Sequence, residues 1–199
     1  MKRLLFTTLA SCLMLASIVV AQTSESRRIL AIIGPSIVKV TGSYPDGKTF
    51  TCTGFVIRPR QVMTAAHCIK DDKDKQLPVA VDGRPSTIVK VDEWLALLYS
   101  EDITKPPLVV AKDPMQIGDL TYAFGFGFDI PTILIRPVIW IIHSNKIFQD
   151  NITVDGMFIQ GMSGGPLVDD KGRVVGVVQK SDTVMGMASG PGAIKAFLP

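Results

Sequence analysis

Apolar positions along this chain come in short runs, not at helical spacing. Stretches such as Ile37–Val40, Gly54–Ile57, Thr87–Val91, Leu95–Tyr99, Leu108–Ala111, Thr121–Phe126, Ile133–Ile142, Met157–Gln160 and Val174–Val178 are rich in Val, Ile, Leu and Phe. Turn-forming clusters separate them, among them Pro45-Asp46-Gly47, Asp82-Gly83-Arg84-Pro85 and Asp169-Asp170-Lys171-Gly172. Many short strands punctuated in this way predict an all-β barrel or sandwich. Gly192–Leu198 reads as a short closing helix, and the alternating charges of Lys70–Lys75 as a solvated loop.

The first 21 residues have a different pattern. Lys2 and Arg3 precede an apolar stretch from Leu4 to Val20, and Val19-Val20-Ala21 leads into a polar run from Gln22. That is the order of an export signal cut after Ala21. Its hydroxyl-bearing residues and bare spanning length argue against a retained anchor. Leu9-Ala10-Ser11-Cys12 is a competing lipoprotein-type site, but it sits early and the apolar stretch runs on past it. The mature domain is then residues 22–199, exported to the periplasm or medium, with no stable membrane association expected after cleavage.

Charge and cysteines narrow the classes further. The formal net charge is +3, and it falls to +1 once Lys2 and Arg3 leave with the leader. With no basic stripe elsewhere, nucleic acid is not an expected partner. Loss of Cys12 leaves Cys52 and Cys68, an even pair in an oxidising compartment. Two distant histidines and this pair supply no metal-ligand set, so no metal is expected. Gly125-Phe126-Gly127-Phe128 lacks the remainder of a dinucleotide fingerprint, and no cofactor is implied. His143, in the apolar run Ile141-Ile142-His143, reads as structural.

Two motifs carry chemistry. Gly161-Met162-Ser163-Gly164-Gly165-Pro166 flanks a serine with bare backbone, which lets a carbonyl approach the hydroxyl and aims successive N–H groups at one point. Upstream, Thr64-Ala65-Ala66-His67-Cys68 supplies a histidine. The pair, histidine first and serine last, resembles the trypsin-like (chymotrypsin-fold) serine proteases. Cys52-Thr53-Gly54-Phe55-Val56-Ile57, Leu95-Ala96-Leu97-Leu98, Gly118–Gly125 and Asp169–Val177 follow in that family's order, closest in style to bacterial secreted and Deg-type members. The resemblance implies two six-stranded antiparallel β-barrels split near residues 110–120, a bare protease-type domain without a PDZ module, and protein or peptide substrates. It further implies a Cys52–Cys68 disulfide, Ser163 as nucleophile, His67 as general base, and an oxyanion hole from the N–H groups of Gly161 and Ser163.

The third triad member is where the sequence departs from the family. The position before Leu95, where an aspartate is usual, holds Trp94. Asp92 lies two residues back on the same strand face and is the candidate orienting acid, through a bulge or a shifted loop. Glu93 points to the other face, and Asp102 lies too far downstream. Three outcomes stay open: Asp92 substitutes, a weakened Ser–His pair works alone, or the fold is kept as an inert peptide- or partner-binding module. Met162 replaces the acid or amide that often precedes the serine, so an ion pair with a new N-terminus is not available, although Arg27-Arg28 offers a cut site. The resemblance places Met157 at the floor of the primary pocket, followed by Phe158, Ile159 and Gln160. The opposite wall comes from Val178-Gln179-Lys180-Ser181, of which Gln179 and Ser181 are the candidate contacts and the direction of Lys180 stays open. An apolar floor disfavours Lys or Arg at the cut site. Met185 and Met187 read as filler.

Overall fold

The computed structural model describes residues 24–71, 73–113, 115–142 and 150–198. The segment expected to be an export signal, with Cys12, and His143 lie outside them. Among the described residues thirteen strands and two α-helices order as α1 (24–33), β1 (Ile37–Ser43), β2 (Thr49–Arg58), β3 (Gln61–Ala65), β4 (Val79–Val81), β5 (Arg84–Pro85), β6 (Thr87–Val91) and β7 (Leu95–Tyr99) in the first half. The second half holds β8 (Leu120–Gly127), β9 (Ile130–Ile142), β10 (Asn151–Asp155), β11 (Pro166–Val168), β12 (Val174–Ser181), β13 (Met185–Ser189) and α2 (Pro191–Phe197).

The all-β, trypsin-like architecture expected from the sequence is what the chain adopts, with the short closing helix in place. The second lobe is a closed antiparallel barrel, β10-β13-β12-β11-β8-β9. The first is a seven-stranded sheet, β5-β4-β1-β2-β3-β7-β6, which curls without closing because β5 and β6 remain as its edges. Among the described residues no helix is long and apolar enough to cross a membrane.

Three hydrophobic cores explain why the strands read as continuous apolar runs and not as alternating ones. In β7, Ala96 and Leu98 face the interior of the first lobe, whereas Leu95 and Leu97 face a core shared between the lobes. In β12, Val175 and Val178 fill the closed barrel, while Val174 and Val177 join the shared core. A strand with an apolar environment on both faces needs no polar positions. The shared core also takes Ile29 and Ile33 from α1 and Ile194 and Phe197 from α2, all buried. The polar run after Ala21 predicts no helix, yet residues 24–33 form α1. Its buried isoleucines are four apart, on one helical face, whereas Leu30 and Ile32 are exposed.

Two predicted runs are not strands. Leu108–Ala111 follows Pro106-Pro107 and makes one bridge, Val110 to Val174. Met157–Gln160 follows Gly156, whose φ of +78° turns the chain out of β10. Phe158 there packs into the closed barrel, and its N–H donates to Ser181 Oγ (2.6 Å), a side-chain bond in place of a ladder.

Candidate active site

Three carbonyls in the serine loop are fixed by neighbouring elements. Thr53, fully buried on β2, donates its N–H to Ser163 O (2.8 Å) and its hydroxyl to Gly161 O (2.7 Å). Phe128 N–H, at the tip of the β8–β9 hairpin, donates to Gln160 O (2.9 Å). With these oxygens engaged, the N–H groups of Gly161 and Ser163 donate to no protein acceptor among the described residues. Gly161 adopts φ +96°, and a Cβ there would sit 2.2 Å from Phe126 O, so no other residue fits. The loop has the arrangement an oxyanion site needs: fixed backbone donors not spent on the protein.

His67 sits in a single 3-10 turn, Ala66–Cys68, directly after β3. Antiparallel pairing of β3 with β7 sets Ala65 opposite Leu95, and Ala66 N–H donates to Trp94 O (2.8 Å). The Cys52–Cys68 disulfide closes this turn onto β2, and Cys68 Sγ lies 3.6 Å from Ser163 O. Histidine turn and serine loop are thereby gathered around one cross-link. A ring nitrogen of His67 and the two sulfurs lie within 4.8 Å of one another, but disulfide sulfurs offer no thiolate to a metal. Burial of the ring's inner side pushes the imidazole pKa down, and the Lys180 ammonium lowers it further. The residue as a whole is nevertheless exposed at the surface.

Among the described residues the imidazole makes no hydrogen bond or ion pair, and the Ser163 hydroxyl donates instead to Gln179 O (3.1 Å). Asp92 does not reach toward it in the way the strand-face argument anticipated. Its Oδ1 accepts the N–H groups of Trp94 (2.8 Å) and Leu95 (2.7 Å), closing a tight Asx turn at the entry to β7. A carboxylate two residues ahead of a strand start finds these unpaired N–H groups first. Trp94 is half-buried against the shared core, with Lys180 Nζ 5.9 Å from its ring centroid.

The residues expected to form the specificity pocket separate into distinct roles. Met157 is half exposed, and Gln160 is exposed and lines a groove with Tyr44, Phe50 and Asp129. Phe158 is buried with its ring against Gly186, and the hydroxyl of Ser181 is spent on Phe158 N–H. Gln179 brings its carbonyl to Ser163, while its buried amide donates to Trp94 O (3.1 Å) and Ser189 Oγ (3.0 Å). Sequence reasoning missed Thr53, Phe128 and the structural use of the Gln179 amide. A buried threonine reads as an ordinary β-branched strand residue, so no local signal marked Thr53.

Comparison with known proteins agrees with this geometry. Residues 52–177 match the family model of the trypsin-like peptidase domain. The chain is 32% identical over 163 residues to the serine protease Rv3671c of Mycobacterium tuberculosis, spanning 75% of this chain and 41% of that protein. It is 28% identical over 134 residues to a probable periplasmic serine endoprotease, DegP-like, of Chlamydia pneumoniae, spanning 63% of this chain and 28% of the relative. This chain therefore spans less than half the length of either relative. The crystal structure of the Rv3671c protease in its active form superposes with a TM-score of 0.73 at 28% identity, covering 85% of this chain and 82% of that one. The chain belongs to the trypsin-like peptidase family.

Proposed function

We propose that the protein is an exported serine endopeptidase that cleaves peptide bonds through an acyl-enzyme at Ser163. The observation that carries this reading is the serine loop itself. Its carbonyls are tied down by Thr53 and Phe128, while the N–H groups of Gly161 and Ser163 stay available beside the hydroxyl. Neutral His67 takes the Ser163 proton as Oγ adds to the substrate carbonyl carbon. The developing oxyanion is received by the two N–H groups. The resulting imidazolium then protonates the leaving amine, and water repeats the sequence on the ester. For attack to begin, the Ser163 hydroxyl rotates away from Gln179 O toward the imidazole.

Asp92 acts here at one remove. By closing the turn that sets Trp94 O, which holds Ala66 N–H, it positions the histidine turn without touching the ring. Without a carboxylate on the imidazole, turnover is expected about four orders of magnitude below a complete triad, yet above water because the oxyanion donors remain. Met162 is fully buried and carries no charge, so activity does not depend on an ion pair with a new N-terminus. The signal-like leader and the periplasmic relative support a location outside the cytoplasm. Labelling of the full chain by a fluorophosphonate, lost in Ser163→Ala and strongly slowed in His67→Ala, is the expected result. A folded chain that labels no faster than Ser163→Ala would instead favour a catalytically impaired fold kept as a peptide- or partner-binding module, a reading to which the unpartnered imidazole also points.

A further inference from the structure

The β8–β9 hairpin turns through two residues, Phe128 and Asp129, with φ of +49° and +67°. Two-residue hairpins of this hand normally use Asn-Gly or Asp-Gly, because both positions lie in the left-handed region. A phenylalanine there is an outlier, and the residue is 71% exposed, so burial does not hold it. What fixes the turn lies on either side. Phe128 N–H donates to Gln160 O (2.9 Å), and the Asp129 carboxylate pairs with Lys39 Nζ of β1 (2.8 Å). Lys39 and the neighbouring Thr51 hydroxyl also hold the Asp129 carboxyl below its usual pKa. Lys39 and Thr51 belong to the first lobe, Asp129 to the second.

We infer that the Lys39–Asp129 pair is a positioning clamp for the oxyanion site: it holds the strained turn in place, so that Phe128 N–H keeps the Gln160–Gly161 peptide oriented with the Gly161 N–H unspent. The peptide has a hinge to rotate on, because Gly161, at φ +96°, has no side chain to restrict it. Thr53 Oγ1 fixes the carbonyl on the far side of Gly161, and Phe128 fixes the one on the near side. Releasing the near side frees the Gly161 N–H to turn away from the serine. Met162 cannot supply an ion pair for this loop; the inter-lobe clamp is a charged contact that orders its Gln160–Gly161 end, as Arg136 Nη2 on Met157 O (3.3 Å) holds its start. The clamp rests on the protease reading of Gly161 and Ser163, and it makes Asp129 a positioning residue that acts through backbone.

The pair is solvent-accessible, with the Lys39 side chain 35% and the Asp129 side chain 62% exposed, so breaking it is expected to change stability little, and a denaturant midpoint measured beside each labelling rate separates the two effects. In the full chain, Asp129→Asn keeps a residue that tolerates the left-handed turn but removes the charge. Lys39→Met removes the partner, and Lys39→Arg restores it. Fluorophosphonate labelling is expected to slow about 10-fold in Asp129→Asn and in Lys39→Met, less than the 10²–10³ for deleting an oxyanion donor outright. The double variant should be no slower than either single one, and Lys39→Arg should label at nearly the wild-type rate. Equal labelling in all four overturns the clamp. Absence of labelling in the wild type sinks the protease reading instead. The clamp is then decided by the Gly161 amide in a ¹⁵N spectrum, where a shift or broadening in Asp129→Asn and Lys39→Met supports it and an unchanged resonance overturns it.

Discussion

His67 starts every proton transfer proposed for this site, and two influences keep it neutral. Burial of the ring is the larger and the Lys180 ammonium the smaller, and both lower its pKa from 6.5. A base with a lowered pKa stays competent to more acidic pH, so the acid limb of the labelling rate should fall below 6.5. Lys180→Met removes the cation and moves that limb upward, while remaining under 6.5 because burial persists. A pH series of labelling rates on the two proteins checks both directions; a limb unmoved by the substitution would place Lys180 outside the site. Trp94→Asp is the complementary change. It restores a carboxylate at the position where the family keeps one and should raise the labelling rate by about 10-fold or more, against the 10⁴ that a full triad aspartate supplies. The lost packing against the shared core should lower stability by about 1–3 kcal/mol in urea unfolding. That the Ser163 loop and the His67 turn meet was legible because each stands in a local motif. The place of Asp92 was not, because a carboxylate near a strand start chooses between a ring and a backbone turn only once the turn exists.

At the scale of elements, the serine loop and the histidine turn are held by close backbone approach and one cross-link. Gly164 has φ +80°, and a Cβ there would lie 2.1 Å from Thr64 Oγ1 and 2.3 Å from Thr53 O. Gly164→Ala combines left-handed strain with overpacking and is expected to lose about 2–5 kcal/mol, read from denaturant midpoints. The Cys52–Cys68 bridge spans 16 residues, and its removal in a Cys52→Ala, Cys68→Ala pair should lose about 3 kcal/mol. Strand content was read from apolar runs because β7 and β12 are buried on both faces. The same rule predicts a strand at Met157–Gln160, because Phe158 and Ile159 pack into the barrel and are as apolar as the residues of a strand there. Periodicity reports burial first and backbone conformation only through it.

At the scale of the whole molecule, the lobes do not merely touch. Phe55, Leu95 and Leu97 from the first lobe and Tyr122, Phe124 and Val177 from the second form one core, and Ile29 and Ile33 of α1 are wedged into it. That wedge is why the segment around Arg27-Arg28 is not a simple removable leader in this fold. Arg28 also donates to Glu25 and to Asp170 O in the closed barrel's β11–β12 turn, tying α1 to that lobe. Ile33→Ala and Ile29→Ala should each lower stability by about 2–5 kcal/mol, whereas Leu30→Ala, on the exposed face, should change it by no more than about 0.5 kcal/mol. If α1 merely caps the second lobe, the double isoleucine variant will unfold in two steps, the second lobe first. A core shared by both lobes demands one cooperative transition that moves as a whole, with labelling at Ser163 lost at the same denaturant concentration as the strand signal. The site is assembled from β2, β3 and β7 on one side and the 156–166 loop on the other, so it has no integrity of its own once that core opens.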